Sequence, residues 1–560
     1  MPYTAPVNEQ RFVLEHIVRI AELAATERYH AASPDVIDAV LEGIGQLAVG
    51  EWAPLARAGD TVGAKWTPDG VVMPEGYKAA YQAYVEGGWG TIGVPEEFGG
   101  QGLPFAVQCA VLETLGSANM GFALAPILSV GAIEALQHHG TPEQQATWLP
   151  KLATGEWTGT MNLTEPQAGS DVGALRATAT PRGDGTFSIK GTKIYISFGD
   201  HDLVDNIVHL VLARTPDAPA GTRGISLFLV PKVREDGTPN DVRVVSIEHK
   251  MGLHASPTCV LSFGDHDDCV GELIGPEFGG MRAMFTMMNN ARLNVGLQGV
   301  QVAEAATQKA VEYARERIQG ARAGQAAAII EHPDVRRMLM RMKAQTQAAR
   351  ALVYYAAGQV DRANLGDAAA RDRLEIATPL AKAHGTDIGN EVASLGVQVH
   401  GGMGYIEETG AAQFFRDARI TPIYEGTNGI QAADLVGRKL SLSNGAAFAT
   451  LIEDMRGASH PALGELVAAC DAVGRRLQTA DADDRLAASY PFLTMLSIAT
   501  CGWLLEREAA EAGDDAFGRA KKAVVAFYLD QIVPEAMGLR AAAEAPAAPL
   551  YALEAEAFAA

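Results

Sequence analysis

One carboxylate in the sequence lies where a protein could use it as a base. In the segment RDARITPIYEGTNGIQ, residues 416–431, Glu425 follows an Ile-Tyr pair and precedes a Gly-Thr-Asn-Gly run. Such a run is typical of a turn, and turns are usually hydrated. One interpretation is therefore a solvated glutamate beside the start of a helix. The other is a carboxylate held in an apolar cleft, where its pKa is tuned for proton abstraction.

Three other segments contain groups that could bind a polar, partly aromatic ligand. NLTEPQAGSDVG, residues 162–173, offers backbone N–H groups and the hydroxyls of Thr164 and Ser170. KGTKIYISFGD, residues 190–200, reads as a strand carrying Tyr195 and Ser197, an aromatic ring and a hydroxyl of the kind that a flavin site can use. GVQVHGGMGYIEETG, residues 396–410, ends a helical pattern in two glycines that permit close backbone approach.

Composition limits the classes of function. The chain has 560 residues, of which 48% are hydrophobic and 20% charged, so it can bury large cores. Its net charge of −22 and its pI of about 5.0 argue against a nucleic-acid-binding protein. Small anionic ligands remain possible, because a few local arginines and backbone N–H groups suffice to bind them.

The cysteines and the apolar runs bear on the cellular compartment. The five cysteines are widely spaced and form no zinc-binding pattern, so we expect no metal site and predict free thiols in a reducing cytoplasm. The N-terminus lacks the basic and apolar regions of a secretory signal. The apolar stretches are interrupted before they reach a bilayer-spanning length, so we expect no transmembrane segment.

The pattern of the chain predicts the elements that must position these groups. Helical periodicity dominates residues 1–158, short β-branched runs follow in 159–280, long helical patterns return in 281–444, and an Ala-rich helical segment occupies 445–560. This order predicts an α+β fold with a helical N-terminal domain, a central antiparallel β domain, a C-terminal four-helix bundle and an additional helical tail domain. Among the expected helices are 9–29, 34–56, 74–87, 285–319, 329–365, 368–396 and 430–443.

Taken together and in this order, TEPQAGSD, KIYIS, GGMGY and RDARITPIYEGTNGIQ resemble the signatures of the acyl-CoA dehydrogenase family. The resemblance covers residues 75–440, and the remaining ends resemble a larger subgroup of that family. It implies an FAD cofactor between the β domain and the bundle, an acyl-CoA substrate, an electron-transfer flavoprotein as partner, and a homo-oligomer, most simply a dimer. Possible substrates are fatty acyl-CoA and 3-methylmercaptopropionyl-CoA.

The resemblance also implies roles for individual residues. Glu425 aligns with the catalytic base; a branch of the family places its base at the position of Ala291, which cannot act as one. The implied substrate-binding residues are Ser170, Asn289, Arg292, Tyr424 and Glu425. The implied FAD-binding residues are Leu163, Thr164, Ser170, Tyr195, Ile196, Ser197 and Thr427 and, reaching a neighbouring subunit, Arg317, Gln398, Gly401 and Gly402.

The implied reaction is α,β-desaturation of an acyl-CoA thioester. Glu425 would remove the α-proton while the flavin N5 accepts the β-hydride, with Ser197 near N5. The apolar neighbours Pro422 and Ile423 should raise the pKa of Glu425, whereas a helix beginning near Thr427 should lower it. Two alternatives remain at this stage: an acyl-CoA oxidase that uses oxygen, and a non-catalytic protein that binds acyl-CoA or lipid.

Overall fold

The N-terminal part of the chain is helical. The computed structural model describes residues 3–559, apart from the side chains of residues 285–289. The helices of this part are α1 (Val7–Val13), α2 (Ile20–Ala24), α3 (Pro34–Leu47), α4 (Ala56–Val62), α5 (Tyr77–Glu86), α6 (Phe105–His139) and α7 (Pro142–Thr154), and a small hairpin joins β1 (Lys65–Thr67) to β2 (Gly70–Val72).

The helix expected over 9–29 is interrupted. One π-helical turn, Leu14–Val18, follows α1, and Arg19 then takes a left-handed conformation with φ 58°. A non-glycine residue in this conformation cannot continue a right-handed helix, so α2 begins anew at Ile20. The periodicity of the apolar residues was correct here, but it contains no signal for this break in the backbone.

Helix α6 is the central element of the N-terminal part. Phe105–His139 forms one 35-residue helix with a kink at Asn119. The kink is stabilised by the Asn119 side chain, which donates to Tyr77 Oη at 3.1 Å and accepts from the Phe122 backbone N–H at 3.2 Å. Within the described chain, α6 is the one helix apolar and long enough to cross a membrane by composition, and 89% of its most apolar window is buried inside the protein.

A single eight-stranded sheet follows α7. Its strand order is β3-β6-β7-β10-β5-β9-β8, with β4 added beside β5. All pairs are antiparallel except β3 with β6, which departs from the purely antiparallel domain that was expected. The strands are β3 (Thr158–Asn162), β4 (Thr178–Pro181), β5 (Phe187–Ser197), β6 (Ile207–Ala213), β7 (Ser226–Pro231), β8 (Val242–Ile247), β9 (Thr258–Phe263) and β10 (Val270–Ile274).

Long helices return after the sheet, as predicted. A small hairpin, β11 (Ile318–Arg322) with β12 (Gln325–Ala328), replaces the end of the first expected helix. The helix expected over 430–443 ends at Gly437, because the backbone angles of Arg438 are not helical. Further along, Ser443 and Asn444 have positive φ. The helices are α8 (Gly280–Glu316), α9 (Pro333–Asn364), α10 (Ala368–His400), α11 (Ala411–Ala418) and α12 (Asn428–Gly437).

The last part of the chain adds a helical layer to the bundle. Its longest helix, α16, packs against α9, α10 and α12. With this layer, the predicted α+β class and its order of helical, β and helical parts are confirmed. The helices of the layer are α13 (Ala446–Met455), α14 (Pro461–Thr479), α15 (Ala482–Ala487), α16 (Ser489–Glu511), α17 (Ala516–Phe527), α18 (Val533–Met537) and α19 (Arg540–Glu544).

The two ends of the chain meet in this layer. The Lys521 ammonium of α17 donates to Glu9 of α1 at 2.6 Å and to Glu508 of α16 at 2.9 Å. Beside this ion pair, the rings of Phe12 and Phe517 make an edge-to-face contact with centroids 5.5 Å apart. The first helix therefore packs directly on the last part of the chain.

Candidate active site

Glu425 lies in a tight turn between α11 and α12. Its own φ is 55° and that of Gly426 is 83°, so two successive residues are left-handed. A non-glycine residue in this region is uncommon, and such backbone strain often occurs at functional sites. The turn is closed by the Asn428 N–H, which donates to the Pro422 carbonyl at 2.9 Å. Thr427 caps α12, since its Oγ1 accepts from the Ile430 N–H at 3.1 Å.

The Glu425 side chain lines a cavity between three parts of the fold, which we call the reaction cavity. It has a volume of about 40 Å³. Its walls are mostly apolar, with a few amides and hydroxyls. The lining residues are Leu124, Ile127, Leu128 and Gly131 of α6, Met161 of β3, Ser197 of β5, Asn290, Ala291, Asn294, Val295 and Gln298 of α8, and Tyr424 and Glu425 of the turn.

Burial raises the pKa of Glu425. The expected cause was the pair of sequence neighbours Pro422 and Ile423, but Ile423 is 48% exposed. The apolar groups around the carboxylate come instead from α6 and α8, which are distant in sequence. The positive charges of Arg292 and Lys382 act in the opposite direction and lower this pKa. The carboxylate is thus a stronger base than free glutamate, and the two cations limit the increase in its pKa.

Arg292, one of the predicted substrate-binding residues, lies on α8. It is buried, and its Nε has no hydrogen-bond partner among the described residues. Burial lowers the pKa of its guanidinium, and the negative charges of Asp434 and Glu425 act in the opposite direction and raise it. A buried guanidinium with an unused donor is a group that a polar ligand could satisfy. Tyr424, the neighbour of Glu425, donates its hydroxyl to Gln298 Oε1 across the cavity.

Sequence reasoning missed a polar network behind the turn. Lys382 of α10 is fully buried and donates to the Thr421 carbonyl at 3.0 Å and to Asn428 Oδ1 at 2.9 Å. Asn428 in turn donates to Asp387 at 2.8 Å, and the Tyr490 hydroxyl of α16 donates to the same carboxylate at 2.7 Å. Burial lowers the pKa of Lys382 to about 8. The network fixes both ends of the Glu425 turn and joins it to the C-terminal layer.

The residues predicted to contact the flavin ring lie on and beside β5. The pairing of β5 with β9 is irregular between Lys193 and Ile196, and Tyr195 within this bulge has φ 60°. The bulge leaves the Tyr195 ring 61% exposed while Ile196 is buried behind it. Ser197 lines the reaction cavity together with Glu425. The β domain and the Glu425 turn therefore meet at Ser197.

The loop after β3 is held in place by a buried ion pair. Lys193 donates to Glu165 at 2.8 Å and to the Leu163 carbonyl at 3.1 Å. Glu165 also accepts from the backbone N–H groups of Arg176 and Ala177. The Ile194 N–H donates to the Thr164 carbonyl at 2.9 Å, so this loop is fastened to β5. Leu163 and Thr164 are consequently partly buried, and Ser170, further along the loop, is exposed.

The remaining predicted positions lie away from the reaction cavity. Arg317 is exposed at the end of α8, where its guanidinium donates to Gln319 at 2.9 Å. Gln398, Gly401 and Gly402 are exposed at the end of α10, and no atom would meet a Cβ added at either glycine. Neither group contributes to the cavity wall. The side chain of Asn289 lies outside the described part of the structure.

The donor set fits a flavin nucleotide. The β5 face offers an exposed aromatic ring, a backbone bulge and hydroxyl groups, and Arg317 offers a guanidinium suited to a pyrophosphate. No group of three or more His, Cys, Asp or Glu residues that could hold a metal ion occurs in the described chain. All five cysteines are free and buried.

Four family models match successive segments of the chain. The family models described as the N-terminal, middle and C-terminal domains of acyl-CoA dehydrogenase match residues 52–156, 160–266 and 279–440. A fourth model, described as acetyl-CoA dehydrogenase C-terminal like, matches residues 436–554. Together these models extend over most of the chain, including the C-terminal layer.

Individual relatives and structures are similar over nearly the whole length. The chain is 46% identical to a 3-methylmercaptopropionyl-CoA dehydrogenase of Ruegeria pomeroyi, with 96% of this chain and 97% of the relative covered. It is 36% identical to a butyryl-CoA dehydrogenase of Syntrophomonas wolfei, with 96% of each covered. The crystal structure of an acyl-CoA dehydrogenase from Bacillus anthracis has the same fold, with a TM-score of 0.75, 22% identity and 91% and 88% coverage.

Proposed function

The chain belongs to the acyl-CoA dehydrogenase family and is an oxidoreductase acting on acyl-CoA, and from this premise we propose that it desaturates an acyl-CoA thioester between Cα and Cβ with Glu425 as the base. The observation that supports this most directly is the position of Glu425. Its carboxylate lines an apolar cavity together with Ser197, and burial raises its pKa. A solvated turn would give neither property.

The chain's own residues would activate the α-carbon. An α-proton next to a thioester is weakly acidic, so its removal needs a base close to it with a raised pKa. The left-handed turn would direct the Glu425 carboxylate into the cavity, and Lys382 would hold the turn from behind. Arg292 and Lys382 would keep part of the carboxylate population ionised. Closing the cavity with substrate would exclude water and strengthen the base further.

The cofactor would be FAD, bound on the β5 face. FAD supplies the acceptor for the β-hydrogen, which leaves as hydride. Ser197 lines the reaction cavity, the Tyr195 ring is exposed beside it with Ile196 buried behind, and Thr427 caps α12 two residues after Glu425. Residues that would bind the cofactor on this face are Leu163, Thr164, Ser170, Tyr195, Ile196, Ser197 and Thr427.

We extend the proposal to assembly. Arg317, Gln398, Gly401 and Gly402 lie apart from the reaction cavity and are exposed, so they would bind the adenine half of an FAD held by a second subunit. A dimer is the simplest assembly in which this can happen. Light scattering of the FAD-saturated protein should therefore give at least twice the chain mass of 59.1 kDa. A fully loaded monomer would contradict the assignment of these four residues.

The substrate and the electron acceptor complete the proposal. The small reaction cavity favours a short acyl group, such as butyryl or 3-methylmercaptopropionyl, over a long fatty acyl chain. Both are substrates in the names of relatives that match the chain over nearly its full length. The electron acceptor would be an electron-transfer flavoprotein in the cytoplasm, where the free thiols stay reduced.

Anaerobic stopped-flow measurements test the reaction. The purified holoenzyme is mixed with butyryl-CoA or 3-methylmercaptopropionyl-CoA, and the loss of the yellow flavin absorbance is followed. We expect rapid bleaching and formation of the corresponding enoyl-CoA. Either of two results would contradict the proposal: a purified protein that is colourless, or a yellow protein whose flavin is not bleached by any acyl-CoA. Aerobic turnover that yields stoichiometric peroxide without a carrier protein would instead identify an oxidase.

A further inference from the structure

The second half of α6 separates two cavities. One stripe of the helix, Leu124, Ile127, Leu128 and Gly131, lines the reaction cavity. A second stripe, Val130, Ile133, Glu134 and Gln137, lines another cavity, which we call the distal cavity. With 3.6 residues per turn, the two stripes lie about a third of a turn apart around the same helix.

The distal cavity is much the larger of the two. It has a volume of about 580 Å³, against about 40 Å³ for the reaction cavity. Its other walls are the loop 93–103, the segment 27–30 after α2, and the end of α9. Arg28 and His30 are exposed at its rim, so it opens to the surface. Apolar groups such as Phe98 and Phe105 alternate with carboxylates along these walls.

One side-chain pair joins the two cavities. Asn290 of α8 lines the reaction cavity, and its Nδ2 donates to Glu134 Oε1 on the distal side. The other carboxylate oxygen, Glu134 Oε2, is buried and has no partner among the described residues. A buried carboxyl with one unused oxygen costs stability. Burial raises the pKa of Glu134 to about 8, so near neutral pH the group is mostly protonated and acts as an uncharged wall.

We propose that Glu134 and Asn290 form the end wall of the acyl pocket and restrict the enzyme to short acyl groups. The wall keeps longer acyl chains from extending into the distal cavity behind it. This inference rests on the proposed function and adds the residues that limit the length of the acyl group. Removing the wall would join the two cavities, and the distal cavity has room for the methylene groups that the reaction cavity cannot hold.

Two substitutions at one position separate size from polarity. Glu134→Ala removes the wall, whereas Glu134→Gln keeps its volume and still accepts the hydrogen bond from Asn290. Each variant is loaded with FAD and assayed for kcat/KM with butyryl-, octanoyl- and dodecanoyl-CoA. For Glu134→Ala we expect kcat/KM for octanoyl- and dodecanoyl-CoA, relative to butyryl-CoA, to rise about 10-fold or more, the scale by which single methylenes are discriminated in apolar pockets. For Glu134→Gln we expect the wild-type profile.

The outcomes distinguish this inference from the proposed function. If the wild-type enzyme is active on butyryl-CoA but Glu134→Ala has the same chain-length profile, the proposed role of Glu134 is wrong and the proposed reaction stands. A wild-type enzyme inactive on every acyl-CoA would overturn the reaction itself. Asn290→Ala opens the same wall from α8 and should broaden the profile in the same direction, so it replaces Glu134→Ala if that variant does not fold. A profile that broadens equally in Glu134→Gln would overturn the inference, because that variant keeps the volume of the wall.

Discussion

The catalytic turn and the proposed adenine-binding surface are built in opposite ways. Glu425 and Tyr424 lie in a cavity whose walls come from α6, β3, β5 and α8 of the same chain. Arg317 and Gln398 lie on exposed ends of α8 and α10, with open space around Gly401. The walls of the first site all come from one chain, whereas the second offers polar groups on an open surface.

This difference separates two kinds of functional residue. At the turn, strain and buried charge are held in place by the surrounding fold, so each substitution should alter chemistry without preventing assembly. At the exposed surface, binding depends on molecules outside the chain, so substitutions should alter cofactor content and leave the chemistry of bound flavin intact. The following substitutions test this separation.

Glu425→Gln should have the largest effect. The amide is nearly isosteric and keeps the turn, but it cannot accept the α-proton. We expect flavin bleaching by acyl-CoA to slow by about 10²–10⁴-fold, while flavin content and acyl-CoA binding change little. Anaerobic stopped-flow absorbance measures the rate, and the spectral shift on ligand addition measures binding. Bleaching within threefold of the wild-type rate would restore the interpretation of Glu425 as a solvated turn residue.

Arg317→Ala should weaken the cofactor and not the reaction. Losing a charged partner of the pyrophosphate should cost about 1.5–3 kcal/mol, or roughly 10- to 150-fold in FAD affinity. The matched control is Arg322→Ala, which removes an exposed arginine from the adjoining β11 strand. Flavin content after gel filtration should fall in the first variant and not in the second, and added FAD should restore activity. Equal flavin content in both variants would show that Arg317 does not bind FAD.

Arg292→Gln should shift the pH dependence. The positive charge of Arg292 lowers the pKa of Glu425, which burial raises. Removing this charge should therefore raise the pKa further. Because the ionised carboxylate is the active form, bleaching should fall off at a higher pH than in the wild type. The pH profile of the bleaching rate measures this shift, with Arg438→Gln as control, since Arg438 pairs with Asp434. An acid limb at the same or lower pH would contradict it.

Tyr490→Phe should have the smallest effect. It removes the hydroxyl that donates to Asp387 behind the turn. We expect a loss of about 1 kcal/mol in unfolding free energy, the usual scale of one hydrogen bond, and less than threefold in bleaching rate. Urea denaturation gives the first value. Tyr551→Phe, at a tyrosine that is 67% exposed, is the control. Identical denaturation midpoints for both variants would show that the C-terminal layer does not support the turn.

The sequence predicted those features that depend on local pattern. The order of helices and strands follows from apolar periodicity, and Glu425, Ser197 and Tyr195 stand within short segments that can be read without a structure. The break at Arg19 and the early end of α12 at Gly437 were missed, because each depends on backbone angles that periodicity does not encode.

The missed part of the site depends on distant contacts. Lys382 lies in a helical stretch where a lysine ordinarily faces water, and only packing with Thr421 and Asn428 buries it. The partnership of Glu134 with Asn290 joins positions 156 residues apart. The apolar wall around Glu425 comes from α6 and not from Ile423, so its pKa shift was predicted in the right direction from the wrong neighbours.

The contact between Glu9 and Lys521 has a consequence for biosynthesis. A ribosome releases the chain from its N-terminus, so α1 emerges long before α17 exists. Until the last part of the chain is translated, Phe12 lacks the ring of Phe517 and Glu9 lacks its cation. The face of α1 that carries Phe12 and Glu9 therefore stays without these partners until α17 has been translated. Slower elongation should lengthen that interval, and expression hosts with ample chaperone capacity should give the higher yield of native enzyme.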